Sequence, residues 1–127
     1  MLAKRKAVTP EQKIFDKCDK LYPQLRNGRP CACCLSVWKV KPATEIHHII
    51  HRGNLHLRFE LLNLIPLCAE CHRKIHEGKL TEPISTQHRE WLTKQANKDF
   101  KGILIARGLT KEEYYKLQYD KMKGMLL

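Results

Sequence analysis

Two stretches decide how this chain folds: Glu45-Ile46-His47-His48-Ile49-Ile50, and Asn63-Leu64-Ile65-Pro66-Leu67-Cys68-Ala69-Glu70-Cys71-His72-Arg73-Lys74-Ile75-His76. The first reads as a short strand over residues 45–50. Residues 51–62 read as a loop turning at Arg52-Gly53-Asn54, and 63–67 as a brief extended piece. A helix is expected over 70–77, stopped by Gly78. In a strand, neighbouring side chains point to opposite faces, so His47 and His48 must do different jobs or one must be structural. His72 and His76 are one helical step of four apart, the spacing by which a helix presents two imidazoles to one ion. Cys71 and His72 lie about 100° apart on that helix, so they should serve different metals.

The cysteines fit that division. Cys31-Ala32-Cys33-Cys34 and Cys68-Ala69-Glu70-Cys71 each contain a C-x-x-C step, and 33 residues separate them. Two such knuckles can close a tetrahedral thiolate shell around a structural Zn²⁺. Cys33 makes the first knuckle ambiguous, and Cys31 with Cys34 is chosen for its two-residue gap. Nothing marks the chain as secreted, so zinc is preferred to disulfides. Cys18 sits at helical spacing among apolar residues and reads as core filler.

Outward from this centre the pattern is helical. Thr9-Pro10-Glu11-Gln12 reads as a helix start, with Thr9 as N-cap, Pro10 in the first turn and Gln12 completing a capping box. Ile14, Cys18, Leu21 and Leu25 mark its apolar face, Pro23 interrupts or kinks it, and Asn27-Gly28 ends it. Residues 29–44 read as a knuckle with a short hairpin, because Val37, Trp38 and Val40 favour strands. Beyond Gly78, helices are expected over 85–97, over 98–107 and from the capping box Thr110-Lys111-Glu112-Glu113 onwards. Trp91 and the Tyr114-Tyr115 pair are read as packing residues. The expected architecture is α+β: one domain over 1–127, with a basic arm (1–8), an N-terminal helix (9–28), a zinc-stapled core (29–80) and C-terminal helices (81–127).

The 127 residues carry 24 Lys and Arg against 13 Asp and Glu, a net charge of +11. It is spread along the chain, net +5 over 1–30 and +3 over each of 31–80 and 81–127. Such an excess points to a polyanion, with nucleic acid the first candidate. No apolar run approaches the roughly 20 residues a membrane span needs, and no apolar stretch follows the basic start. A cytoplasmic protein is expected, without membrane association.

His47-His48, Asn63, His72 and His76 at these intervals resemble the motif of HNH nucleases, the ββα-metal fold, and the interleaved knuckles resemble its zinc-stapled branch. Closer in detail, His47-His48-Ile49-x-x-Arg52, Arg58-Phe59 and Asn63-x-x-x-Leu67-Cys68-x-x-Cys71-His72 are similar to the lambdoid phage NinG (Rap) recombination nucleases. The resemblance implies a DNA endonuclease that leaves 5′-phosphate and 3′-hydroxyl ends. It implies that His47, His72 and His76 bind a catalytic divalent ion, with Mg²⁺ or Mn²⁺ preferred over Zn²⁺ or Ni²⁺. His48 would deprotonate the attacking water, and Asn63 would tie the loop backbone and hold His48 in its tautomer.

Arg52 and Arg58 flank the site and read equally as phosphate contacts or as solvated loop residues. His51 and His56 read as packed or solvated. The DNA would be held mainly through its backbone, with branched or structured DNA favoured over a restriction-type or homing-type substrate, because no major-groove helix is evident. The rival from another class is a zinc-stapled DNA-binding module without catalysis, which has no use for His48 with Asn63. Oligomeric state is left open, a homodimer being one option.

Overall fold

A computed structural model describes residues 7–126; the Lys4-Arg5-Lys6 part of the basic arm lies outside the described residues. Helix α1 (Pro10–Leu21) begins at Thr9, whose side chain accepts the Gln12 N–H, and passes into a 3-10 turn at Tyr22–Arg26 with Pro23 near its start. Helix α2 (Ala32–Ser36) leads towards strand β1 (Glu45–His48). A loop and a 3-10 turn (Leu61–Asn63) return the chain to strand β2 (Leu64–Leu67), which runs directly into α3 (Ala69–His76). Helices α4 (Thr86–Ala96), α5 (Phe100–Arg107) and α6 (Lys111–Gly124) complete the described chain. The result is a mixed fold in which a two-stranded sheet and α3 form a small ββα unit, with helices before and after it. None of these helices is long and apolar enough to cross a membrane.

The strands are antiparallel, pairing Glu45 with Leu67, Ile46 with Pro66, His47 with Ile65 and His48 with Leu64. Pro66 offers no N–H, which a two-stranded sheet tolerates because both strands are edges. Alternation then separates the tandem histidines. Glu45 and His47 share the face against α3, where Glu45 reaches His72, while His48 turns to Tyr22 on the other side.

The main core lies between α1 and α6. Cys18, Leu21, Leu25, Phe59, Leu64, Tyr114, Tyr115 and Met122 are buried together there. Phe15 meets Phe59 and Tyr115 edge-on, at centroid distances of 5.2 and 5.3 Å. Cys18 belongs to this core, its thiol pushed up to about 12 chiefly by burial. A second cluster consists of Leu67 and the thiols Cys31, Cys33, Cys68 and Cys71. So little apolar surface cannot hold two chain segments together alone, which is where a metal staple has most effect. Helix α4 straps the loop before β2: His88 Nε2 bonds Leu62 O, and His56 Nε2 bonds Gln95 O, both at 2.6 Å.

Three local expectations are corrected. The hairpin expected within 29–44 is reduced to an antiparallel bridge between Pro30 and Pro42, and residues 37–40 form no strand. After α2 the chain turns through Val37 and Trp38 with their side chains in solvent, so no face exists for an alternating strand to bury. The strand expected over 45–50 ends at His48, because Ile49 and Ile50 give their N–H groups to the backbone and side chain of Asn63. Gln12 does not complete a capping box, since its amide turns instead to Asp16 at 2.8 Å. The second box does form, with Thr110 and Glu113 capping each other. Tyr114 and Tyr115 are buried as expected, whereas Trp91 remains 39% exposed on α4.

Candidate metal centre and active site

Two donor clusters flank α3. In the first, the sulfurs of Cys31, Cys34, Cys68 and Cys71 lie within 4.8 Å of one another, and Cys33 is outside the set. Four sulfurs about 2.3 Å from a zinc ion stand about 3.8 Å apart at the corners of a tetrahedron. Cys34 lies 3.9 Å from Cys68 and 3.7 Å from Cys71, so this cluster fits structural zinc. Burial alone would raise the Cys31 thiol, but hydrogen bonds from Cys34 and Cys68 outweigh it and bring it down to about 7. Cys68 also caps α3, its sulfur accepting the Cys71 N–H, so the knuckle fixes where the histidine-bearing helix begins.

In the second cluster, one ring nitrogen each from His47, His72 and His76 lies within 4.8 Å of the others. His72 and His76 approach through their Nε2 atoms, 3.0 Å apart, on successive turns of α3. Glu45 holds His72 from behind by a hydrogen bond to Nδ1, which leaves Nε2 as the donor atom. A carboxylate on the far nitrogen of an imidazole orients the ring and strengthens its metal-facing nitrogen. Glu82 Oε1 is 3.3 Å from His47 Nε2 and is itself held by Arg89. Burial keeps His47 below the ordinary histidine value, hence neutral and able to donate a lone pair at pH 7. These three histidines fit a divalent ion with a free coordination side. His47, His72 and His76 line a cleft of about 410 Å³ together with Tyr22, Ile46, His48, His51 and Arg52.

His48 enters this cleft from the opposite face of β1. Its Nε2 lies 2.9 Å from the carbonyl of Arg58. A carbonyl only accepts, so Nε2 carries the hydrogen and Nδ1 keeps the lone pair. Burial pushes the ring down to about 4, assisted by the charges of Arg58 and Arg52 against the opposing Arg58 carbonyl bond. Its edge-to-face contact with Tyr22, at a centroid distance of 4.9 Å, fixes the remaining freedom. The group is therefore a neutral imidazole of defined tautomer.

Asn63 is fully buried, and its side-chain hydrogen bonds go to Ile50 and Leu57, none to His48. Its Oδ1 accepts the Ile50 N–H at 2.6 Å, and its Nδ2 donates to the carbonyls of Ile50 and Leu57 at 3.0 Å each. The amide thus closes the loop at both ends and sets the position of Arg58, the residue after Leu57, whose carbonyl orients His48. The tautomer of His48 is held by that carbonyl, not by Asn63 directly. Arg52 lines the cleft, exposed. Arg58 is committed to the fold: its guanidinium bonds Asp19 at 2.7 and 3.0 Å and lies over the rings of Phe15 and Phe59. His51 lines the cleft, and His56 is buried on Gln95.

Sequence reading overlooked Glu45, Glu82, Tyr22 and the Arg58 carbonyl. Glu45 had a usable signal, standing two residues before His47 on the same strand face. Glu82 had none, because it follows α3 in irregular chain whose course only the fold decides.

No curated protein and no solved structure matches the chain. Residues 31–78, which span all seven donor residues, match the family model described as HNH endonuclease.

Proposed function

We propose that the protein is a metal-dependent DNA endonuclease, and that it acts on branched or structured DNA in recombination of the phage type. The observation that carries the catalytic part is the pairing of a three-histidine cluster with a neutral imidazole in one cleft. A DNA-binding module without catalysis has no use for a base whose tautomer is fixed by a carbonyl.

In this reading His47, His72 and His76 would hold a divalent ion, which when bound would supply Lewis acidity for phosphodiester cleavage. His48 Nδ1 accepts the proton of the attacking water, while Nε2–H remains on the Arg58 carbonyl. General-base assistance of this kind is typically worth roughly 10²–10⁴-fold. Asn63 acts as a positioning residue by keeping the 50–58 loop closed. Arg52 supplies positive charge at the rim. The part assigned to Arg58 is indirect: with its guanidinium on Asp19, it serves through its carbonyl. An all-imidazole set favours a transition ion such as Zn²⁺, Ni²⁺ or Mn²⁺ over Mg²⁺, which prefers oxygen donors and its own waters. The four-cysteine site would hold Zn²⁺ and lock the two chain segments that carry the knuckles.

The test is incubation with supercoiled plasmid under Mg²⁺, Mn²⁺, Ni²⁺ or Zn²⁺ in turn, beside synthetic junctions, flaps and linear duplexes. Nicking that disappears with His48→Ala is expected, with 5′-phosphate and 3′-hydroxyl ends and a preference for branched substrates. Absence of cleavage with every metal would favour the binding module. Equal rates on all substrates would remove the structured-DNA part.

A further inference from the structure

The end of α2 and the chain that follows it serve neither donor cluster beyond Cys34. This stretch runs Leu35-Ser36-Val37-Trp38-Lys39-Val40-Lys41, and its four apolar side chains are exposed, Trp38 most of all at 95%. Among the described residues Trp38 is also the only non-glycine with positive φ, at +63°. A bulky side chain is uncommon in that region, and such a backbone persists only where its surroundings over-determine it. Here they do. The Trp38 N–H donates to Leu35 O at 3.1 Å and the Lys39 N–H to Cys34 O at 2.9 Å, so the turn hangs on a cysteine of the candidate zinc site. The indole is held outward and contributes nothing to the core.

Charge indicates what covers it. Residues 20–44 contain Lys20, Arg26, Arg29, Lys39 and Lys41 and no Asp or Glu. Among the described residues no carboxylate pairs with Arg26, Arg29 or Lys39, and Lys41 meets Glu70 only at 3.8 Å across exposed surface. Arg26, Arg29, Val40 and Lys41 line an open groove of about 750 Å³ beside the loop. Nucleic acid offers both things this surface lacks, phosphates for the cations and a flat π-face for the indole. The groove also adjoins the cleft. Its Thr44 is three residues before His47, about 10 Å along an extended chain.

The geometry points to a second DNA contact, in which Trp38 stacks on an unpaired base at a break in the duplex while Arg26, Arg29, Lys39 and Lys41 hold the flanking phosphates. It rests on the reading of the protein as a DNA nuclease and names a device by which unpaired DNA is selected. Stacking of this kind is indifferent to sequence, since every base has a π-face.

The test uses zinc-loaded His48→Ala protein, so that substrate stays intact, with Trp91→Phe to leave Trp38 as the sole indole. It is titrated with a duplex carrying a short single-stranded gap and with the intact duplex of the same sequence. Trp38 fluorescence is quenched by the gapped DNA and not by the intact one. Trp38→Ala weakens gapped-duplex binding on the order of tenfold or more and leaves intact-duplex affinity unchanged. Trp38→Gly gives the same loss without lowering the melting temperature, because glycine adopts positive φ freely. Equal losses on both DNAs, no loss on either, or an effect confined to self-association in sedimentation would each overturn the proposal. Failure of the nuclease reading shows separately, as absence of plasmid nicking by the unmodified protein.

Discussion

Replacing Asn63 by alanine tests the link between packing and chemistry most directly. The side chain is fully buried and makes three hydrogen bonds, to the Ile50 N–H and to the carbonyls of Ile50 and Leu57. Each buried hydrogen bond contributes about 1 kcal/mol net, and a buried donor left unpaired costs about 1–3 kcal/mol more. The Ile50 N–H would be stranded in this way, while the two carbonyls tolerate loss better. The expected destabilisation is therefore about 3–5 kcal/mol, more than a hundredfold in the folding equilibrium. For a chain of this size that lowers the melting temperature by roughly 10–20 °C. Activity should fall further than unfolding explains. At a temperature where the variant is still folded, the loosened 50–58 loop no longer holds the Arg58 carbonyl against His48 Nε2. Thermal melts of zinc-loaded protein, with plasmid nicking well below the midpoint, separate the two effects. A midpoint within about 2 °C of the unmodified protein would refute the clamp. Full nicking activity in a destabilised but folded variant would refute the connection to His48.

Other outcomes follow from the same geometry. His48→Ala should abolish nicking, with a loss of roughly 10²–10⁴-fold or more, while circular dichroism stays native; an unfolded variant would count against a purely catalytic role. Cys68→Ser removes a zinc-binding sulfur while serine still caps α3, so the protein should lose zinc and its cooperative melt, measured by metal content and calorimetry. Glu45→Gln keeps the shape and removes the charge behind His72, so affinity for the catalytic ion should fall about 10–100-fold in a metal titration, with the fold retained. Because His48 sits at about 4 in the fold and near 6.5 when unfolded, the unfolded chain binds more protons between those values. Stability should therefore decline as pH falls through that window. Urea midpoints at pH 7 and pH 5 should differ less for His48→Ala than for the unmodified protein, and equal differences would contradict the buried neutral ring.

Sequence alone determined the parts whose chemistry is local. Two C-x-x-C steps, a His-x-x-x-His step on a helix and the tandem His47-His48 carry their geometry with them, because helix and strand periodicities dictate which side chains share a face. The caps at Thr9 and Thr110 were equally legible, each being a contact within four residues. Within the hairpin expected over 29–44 the antiparallel pairing falls at Pro30 and Pro42; the strand preference of Val37, Trp38 and Val40 misled because β propensity needs a surface to bury against, and no neighbour supplies one.

Only the tertiary structure decided the rest. It placed the sulfur of Cys31, and not that of Cys33, among those of Cys34, Cys68 and Cys71, brought Glu82 to His47 from outside any element, and gave Arg58 to Asp19. It also made a backbone carbonyl, which has no sequence signature, the partner that sets the tautomer of His48. These choices depend on which segments meet across the loop and across the α1–α6 core, and such meetings leave no periodic trace in a single chain.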